Sequence, residues 1–225
     1  MLPLKDNSSP RGFVPGTVTV LLVAFVAYAL NARLSGGLLP LCAARPADIV
    51  RYLVEGTGSF FAIQARILAS AFLHAGLFHL AVNLVFLSVF APAVERTIGF
   101  VRFSLFYVAA VFCAFYAHVV ITPHSVLPVV GASGAIAAVM GMYLILYPRG
   151  RVVTLLPLIP SLELVELPSF VFILVWFALQ TLFVILGSPQ TSHVAWFSHI
   201  GGFAFGIVSG VNYRLSRTRR AVSTM

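Results

Sequence analysis

The chain has 225 residues, of which 60% are hydrophobic and 9% are charged, and its mean hydropathy is +1.02. An ordinary water-soluble domain is excluded, because such domains carry about 25% charged residues. The formal net charge of +8 could suggest nucleic acid, but no pattern of interleaved basic and aromatic residues supports a nucleic-acid surface. The basic residues instead flank apolar runs, as topology signals of membrane proteins do, and we predict no nucleic-acid partner.

Apolar runs recur along the whole chain and predict its helices. Five of these runs approach the roughly 20 residues that a bilayer requires, and the fourth is shorter because Pro148 follows it. A short span can begin below the membrane surface, inside protein or a wet cavity. We therefore predict an all-α membrane protein with six spanning helices, near Val14–Ala32, Ala71–Val94, Phe103–Ile121, Ser133–Tyr147, Ser169–Leu186 and Val194–Tyr213.

The segments outside these spans complete the predicted domain organisation. Residues 1–13 are predicted to be an N-terminal tail, residues 14–213 the six-helix domain, and residues 214–225 a basic C-terminal tail. A long loop, residues 33–70, joins the first two spans and has apolar patches that can lie in the membrane interface. It is not a span, because it carries Arg45, Asp48, Arg51, Glu55 and Arg66.

The distribution of basic residues predicts the orientation. If both termini are cytoplasmic, most of the 14 Lys and Arg residues lie on the cytoplasmic side, as the positive-inside rule favours. The loop 33–70 is then on the outer side. Short basic tails and a compact core favour a bacterial plasma membrane.

Ionisable residues inside spans are functional candidates. In the predicted orientation, all six histidines gather towards the outer leaflet, although none of them was used to assign it. Asn83 follows His79 by one helical turn, on the same helix face, and Ser133 opens the fourth span on the same side. The histidines are His74, His79, His118, His124, His193 and His199.

The acidic residues do not accompany the histidines. Two lie in the outer loop and the others on the cytoplasmic side, so none reaches the depth of Ser133. A Ser-His-Asp triad is therefore disfavoured, whereas a Ser-His dyad needs only a base within hydrogen-bond reach of the hydroxyl. The acids are Asp6, Asp48, Glu55, Glu95, Glu163 and Glu166.

Glycines surround the candidate serine and histidine. Ser133 lies between small residues where a loop becomes a helix, and a helix N-terminus presents N–H groups that suit a developing oxyanion. A small-residue stripe follows His199, and a matching small face follows Ser133, so the two helices can approach closely. The stripe is Gly202, Gly206 and Gly210, and the matching face is Ala137, Ala138 and Gly141.

Together these motifs resemble those of the rhomboid family of intramembrane serine proteases, in order and along nearly the whole chain. The nucleophile motif GxSG is Gly131 to Gly134. The second-span motif H-x4-H-x3-N is present as His74, His79 and Asn83, and the sixth-span motif H-x2-G-x3-G as His199, Gly202 and Gly206. Arg66 matches an arginine that precedes the first histidine by eight residues in the family.

The resemblance implies a role for each of these residues. Ser133 is the implied nucleophile and His199 the general base, while His79 and Asn83, with the Ser133 N–H, stabilise the oxyanion. A tyrosine that stacks on the histidine in some members is Ala137 here. Implied substrates are single-pass or multi-pass membrane proteins within the lipid bilayer, and no metal or other cofactor is called for. Implied structural support comes from His74, Arg66, Gly131, Gly134, Gly202 and Gly206.

Two other functions are alternatives to proteolysis. A proton-coupled transporter would place ionisable groups at several depths and often shows an inverted repeat, neither of which the sequence displays. A rhomboid-like protein that binds membrane helices without cutting them would be indicated by loss of Ser133 or His199. Trp196 and Tyr213 are interpreted as interfacial aromatic residues without a chemical role.

Overall fold

The structure is a computed structural model, and it describes residues 1–7, 12–35, 37–158, 161–186 and 195–223. The described residues are mostly helical. The helices are α1 (Pro15–Arg33), α2 (Leu38–Cys42), α3 (Pro46–Glu55), α4 (Phe60–Ser70), α5 (Leu77–Ile98), α6 (Phe100–Ile121), α7 (Ser133–Leu146), α8 (Ser169–Leu186) and α9 (Trp196–Ser223). The strands are β1 (Leu2–Asp6), β2 (Arg151–Leu158) and β3 (Ser161–Pro168).

Three helices are long and apolar enough to cross a bilayer, within the part of the chain that was described: α1, α5 and α6. Spanning by α7, α8 and α9, and hence the count of six, stays a prediction. The largest differences between the predicted spans and the observed helices are at the start of α5 and the end of α9. Helix α5 begins at Leu77 rather than Ala71, and α9 continues to Ser223, so most of the predicted C-terminal tail is helix.

The predicted long loop contains three short helices, α2 to α4. Ser59 caps α4, where its side-chain oxygen accepts a hydrogen bond from the N–H of Ala62 at 3.5 Å. Asp48 of α3 lies 3.9 Å from both Arg51 and Arg66. Arg66 therefore joins α4 to α3, although its half-exposed position limits the strength of such a pair.

The prediction of an all-α fold is incomplete, because β1, β2 and β3 form an antiparallel sheet in that order. The predicted N-terminal tail supplies β1, and the predicted loop after α7 supplies β2 and β3. Val152 and Thr154 are fully buried on one face of β2. The Tyr143 hydroxyl of α7 donates to Asp6 at 2.8 Å, which attaches the sheet to the helical core.

The start of α1 is held by a buried carboxylate from the last turn of α5. Glu95 is 2% exposed. Its Oε1 accepts from the Gly16 N–H, and its Oε2 accepts from the N–H and the hydroxyl of Thr17, all at 2.7 Å. The first N–H groups of a helix have no partner within the helix, so Glu95 satisfies donors that burial would otherwise leave unpaired.

We expect Glu95→Ala to lower the free energy of unfolding by at least about 3 kcal/mol, because each of the three buried donors left without a partner costs about 1–3 kcal/mol. Thermal unfolding in mild detergent measures the change. Glu163→Ala is the matched control, because Glu163 is exposed on β3 and its loss should cost less than about 0.5 kcal/mol. Equal effects of the two substitutions would show that Glu95 does not anchor α1.

Helix α7 lies in the middle of the bundle, and α9 packs against it with little space between the backbones. A Cβ atom added at Gly202 would collide with the Gly134 carbonyl oxygen, and one added at Gly206 with the Ala138 carbonyl oxygen. Only glycine allows this approach. The predicted glycine stripe is thus in contact with the predicted small face of α7, and this contact sets the distance between Ser133 and His199.

Candidate active site

Ser133 is the first residue of α7, and the turn before it depends on Gly131. Gly131 has φ +110°, a conformation that residues with a side chain rarely adopt. Its N–H donates to the Ser70 carbonyl at 2.9 Å. A Cβ atom on Gly131 would lie 2.7 Å from His79 Nε2. Gly131 is therefore required both by the turn and by the neighbouring imidazole.

His199 lies in the first turn of α9 and contacts Ser133. Its Nε2 is 2.7 Å from the Ser133 Oγ, which is hydrogen-bond distance. The imidazole is 7% exposed, whereas Ser133 is half-buried. A neutral imidazole at this distance can accept the hydroxyl proton, so the pair has the geometry that nucleophilic activation of a serine requires.

His79 and Asn83 approach the same point from α5. Asn83 is buried, and its Nδ2 donates to the His79 carbonyl at 2.9 Å. An amide nitrogen carries two N–H bonds, so a second one can be directed elsewhere. Both residues line the cavity that also contains Ser133 and His199. Four of the residues singled out in the sequence are therefore gathered by α5, α7 and α9.

The cavity at these residues has a volume of about 420 Å³. Much of its wall is apolar, including Val82, Phe86 and Ile136, and its polar groups converge near Ser133. A largely apolar cleft with a few convergent polar groups is the usual form of a binding site for organic groups.

Two tryptophans surround the His199 ring. The ring centroid of Trp176 in α8 lies 6.0 Å from that of His199, and Trp196 meets it edge-on at 5.8 Å. Trp196, interpreted from the sequence as an interfacial residue, also lines the cavity. These rings supply the aromatic packing that Ala137 does not.

Gln180 also contacts His199, although it is not among the residues predicted for the site. Its Oε1 lies 2.8 Å from His199 Nδ1, on the side of the imidazole opposite Ser133. Gln180 follows Trp176 by four residues on α8, so both side chains reach His199 from one helix face. The signal was present in the sequence, since Gln180 is the one amide side chain in the apolar run Ser169–Leu186.

The remaining histidines lie outside the Ser133–His199 contact. His74 precedes α5 rather than lying within a span. It is 1% exposed, its Nδ1 is 3.1 Å from the Phe72 carbonyl oxygen, and its ring lies 5.0 Å from that of His79. His118 is 7% exposed on α6 beside Phe197. His124 is exposed in a loop, and His193 lies outside the described residues.

Comparison with known proteins places the chain in a family. The family model described as the Rhomboid domain matches residues 64–215. The chain is 30% identical over 166 residues to the mitochondrial presenilin-associated rhomboid-like protein of Bos taurus, across 71% of this chain and 40% of that protein. The homologous protein of Homo sapiens matches with the same identity and coverage. The chain belongs to the rhomboid family, and it is an integral membrane protein.

Other relatives differ in the activity that their names state. The chain is 39% identical over 79 residues to the putative rhomboid protease YdcA of Bacillus subtilis, across 35% of this chain and 39% of that protein. It is 36% identical over 75 residues to inactive rhomboid protein 1 of Drosophila melanogaster, across 33% of this chain and 5% of that protein. The chain thus spans about two fifths or less of the length of each of these relatives. Family membership alone does not decide whether this chain cuts its partners.

Proposed function

We propose that this protein is an intramembrane serine endopeptidase that hydrolyses peptide bonds in or near the transmembrane segments of membrane proteins. The observation that carries the proposal is the 2.7 Å separation of the Ser133 Oγ and His199 Nε2. This pair lies in an open cavity of about 420 Å³. A serine kept only for helix packing would need neither a base at hydrogen-bond distance nor a cavity beside it.

In the proposed reaction, the Ser133 Oγ attacks the carbonyl carbon of the scissile bond while His199 Nε2 takes the hydroxyl proton. The C–N bond then breaks as the resulting imidazolium donates that proton to the leaving amine. Water entering through the cavity opening attacks the acyl-enzyme ester, with His199 again acting as base. Release of the acid product regenerates the Ser133 hydroxyl.

The oxyanion of each tetrahedral intermediate needs donors that are oriented before the reaction. We assign this role to His79, the second N–H of the Asn83 amide and the Ser133 backbone N–H. Ser133 is the first residue of α7, so its N–H is among those without a partner in the helix, and the helix dipole favours negative charge there. Gly131 leaves the His79 imidazole room to face the cavity.

Substrate carbonyls in an intact helix are already hydrogen-bonded along the helix. We therefore propose that the substrate unwinds locally and places an extended stretch in the cavity, which favours segments with Gly or Pro. We also propose cytoplasmic termini, a cavity facing the outer leaflet and a bacterial plasma membrane. Reporter domains fused to either terminus would test the orientation, since an outer location of both contradicts it.

Asn83→Ala should lower the cleavage rate by about 10- to 100-fold. Loss of one oxyanion donor costs about 100- to 1,000-fold in a well-studied protease, and the remaining donors offset part of the loss here. Initial rates on one reporter, compared with those of Ser133→Ala, measure this. A loss as complete as that of Ser133→Ala would contradict the assignment of Asn83 as one of several donors.

A non-cutting protein that recognises membrane helices is the second candidate, and the similarity to inactive rhomboid protein 1 favours it. It needs a helix-binding surface but no activated serine. The Ser133–His199 contact favours proteolysis over this alternative, because an activated serine has no use in a protein that only binds.

Cleavage of a reporter in a bilayer tests the proposed function. The purified protein is reconstituted in liposomes with a single-pass reporter that carries Gly and Pro in its transmembrane segment, beside a reporter with Leu at those positions. We expect cleavage of the first reporter, weaker cleavage of the second and none with Ser133→Ala. Stable binding of the reporter by a folded protein that never cuts it would favour the non-cutting candidate.

A further inference from the structure

Gln180 makes a hydrogen bond with the imidazole that the proposed function assigns as the base. Its Oε1 lies 2.8 Å from His199 Nδ1, while His199 Nε2 lies 2.7 Å from the Ser133 Oγ. The two ring nitrogens therefore have different partners on different helices. Both distances are within the range of good hydrogen bonds.

The chemistry of these partners determines which nitrogen carries the proton. An amide oxygen can only accept a hydrogen bond, so Nδ1 must carry the proton that bonds to Gln180. A neutral imidazole has a single N–H, which leaves Nε2 as the acceptor facing the Ser133 hydroxyl. This is the tautomer that a base acting on Ser133 needs.

We propose that Gln180 is a positioning residue that fixes the tautomer and the ring orientation of His199, so that the site works as a Ser133–His199–Gln180 array. This inference rests on the proposed function and deepens it. In serine protease triads, an acid at Nδ1 performs the same orienting task. A neutral amide orients the ring without placing a further charge within the bundle, where a charge is costly.

The surroundings of His199 support an orienting role for Gln180. The ring packs between Trp176 and Trp196, so its rotation is restricted, but aromatic contacts do not distinguish one ring nitrogen from the other. The titratable groups that interact electrostatically with His199 are His79 of α5 and His118 of α6. Among the described residues, the hydrogen-bond partner of Nδ1 is Gln180 rather than either histidine, so the Gln180 contact selects the protonated nitrogen.

The tautomer can be measured directly in the parent protein. With ¹⁵N-labelled histidine in detergent micelles, the His199 signals are those that disappear in His199→Ala. At a pH where the ring is neutral, we expect Nδ1 to be protonated and Nε2 unprotonated. A His199 ring protonated at Nε2 would overturn the proposal, whatever the activity of any variant.

Activity measurements add a second test through two substitutions of similar size. Gln180→Leu removes the acceptor, and we expect it to slow labelling of Ser133 by a fluorophosphonate by on the order of 10- to 100-fold, a part of what general-base catalysis contributes. We also expect that the Nδ1-protonated tautomer of His199 is no longer the main form in Gln180→Leu. Gln180→Glu keeps an acceptor oxygen, so most of the parental rate should return.

The pH profile separates orientation from simple packing. A carboxylate at Nδ1 would favour the protonated imidazole, so the acidic limb of the Gln180→Glu profile should move to higher pH than that of the parent. Thr181→Val changes the next residue on α8 and should leave rate and profile unchanged. Equal losses in Gln180→Leu and Gln180→Glu, without a shifted limb, would overturn the proposal and indicate packing alone.

Failure of the proposed function and failure of the role of Gln180 give different experimental results. If the parent protein is never labelled, the proposed function fails. If the parent is labelled at Ser133 and Gln180→Leu is labelled at the parental rate with an unchanged tautomer, only the role of Gln180 fails.

Discussion

Ser133→Ala should abolish covalent labelling by a fluorophosphonate, and His199→Ala should lower the labelling rate by about 10⁵-fold, as is typical when a nucleophile or its base is removed. Ser133→Ala removes the atom that forms the bond to phosphorus. His199→Ala leaves the hydroxyl in place but removes the acceptor at 2.7 Å. In-gel fluorescence of purified protein measures both losses without a known substrate.

Matched controls separate this loss from damage to the fold. His118 and His199 are both 7% exposed, so His118→Ala removes an imidazole of equal burial from another helix. Ser104→Ala removes a half-buried hydroxyl from α6. We expect both controls to label within about threefold of the parent, because neither residue lines the cavity. Similar losses in His118→Ala and His199→Ala would contradict a specific role for His199.

Gly206→Ala should lower the free energy of unfolding by about 3 kcal/mol, at the upper end of the usual cost of overpacking. The added Cβ would collide with the Ala138 carbonyl oxygen and would lie 2.7 Å from the Ala138 carbonyl carbon. These are backbone atoms of α7, which cannot rotate away as a side chain can. Helix α9 must move instead, and a displacement of about 1 Å can cost about 100-fold in rate.

Substitutions at two other glycines should have smaller effects and serve as comparisons. A Cβ atom at Gly210 would meet the side chain of Ile145 at 2.9 Å, so Gly210→Ala should be less damaging than Gly206→Ala. Gly76 has open space around it, and Gly76→Ala should be tolerated. Unfolding midpoints and labelling rates of the three variants measure the order. A Gly206→Ala protein as stable and active as Gly76→Ala would show that α9 and α7 are not in close contact.

The helices and the proximity of Ser133 and His199 could be predicted from the sequence. Long apolar runs give a strong signal for spanning helices, and α8 has the bounds that its run predicted. The proximity of Ser133 and His199 followed from small residues at helical spacing on both helices. This contact could be predicted because α7 and α9 each carry small residues in a repeated local pattern.

The sheet and the burial of the Glu95 carboxylate could not be predicted from the sequence in the same way. Strand β1 has five residues, and its partner β2 begins about 145 residues later in the chain. Short strands of mixed composition give little periodic signal, and their pairing depends on distant residues. Glu95 was placed on the cytoplasmic side by the topology that the Lys and Arg residues predict, but only the packing of α5 against α1 shows that its carboxylate is buried.

Gln180 was missed for a different reason. Ionisable residues within spans are functional candidates, but the side chain of Gln180 is an uncharged amide. A strongly polar side chain within an apolar run is a functional candidate as well, and Gln180 is one. The contact of Trp196 with His199 was not predicted either, because an aromatic residue near a span end is usually interpreted as interfacial and the sequence does not show which side chain it packs against.

Identification of the labelled atom tests the central claim most directly. The parent protein is labelled with a fluorophosphonate in mild detergent, digested, and its modified peptide sequenced by tandem mass spectrometry. We predict a single phosphonyl adduct on the Ser133 Oγ, which is absent from His199→Ala at the same exposure. A folded parent that carries no adduct, or an adduct on another serine such as Ser198, would contradict Ser133 as the nucleophile and favour the non-cutting protein.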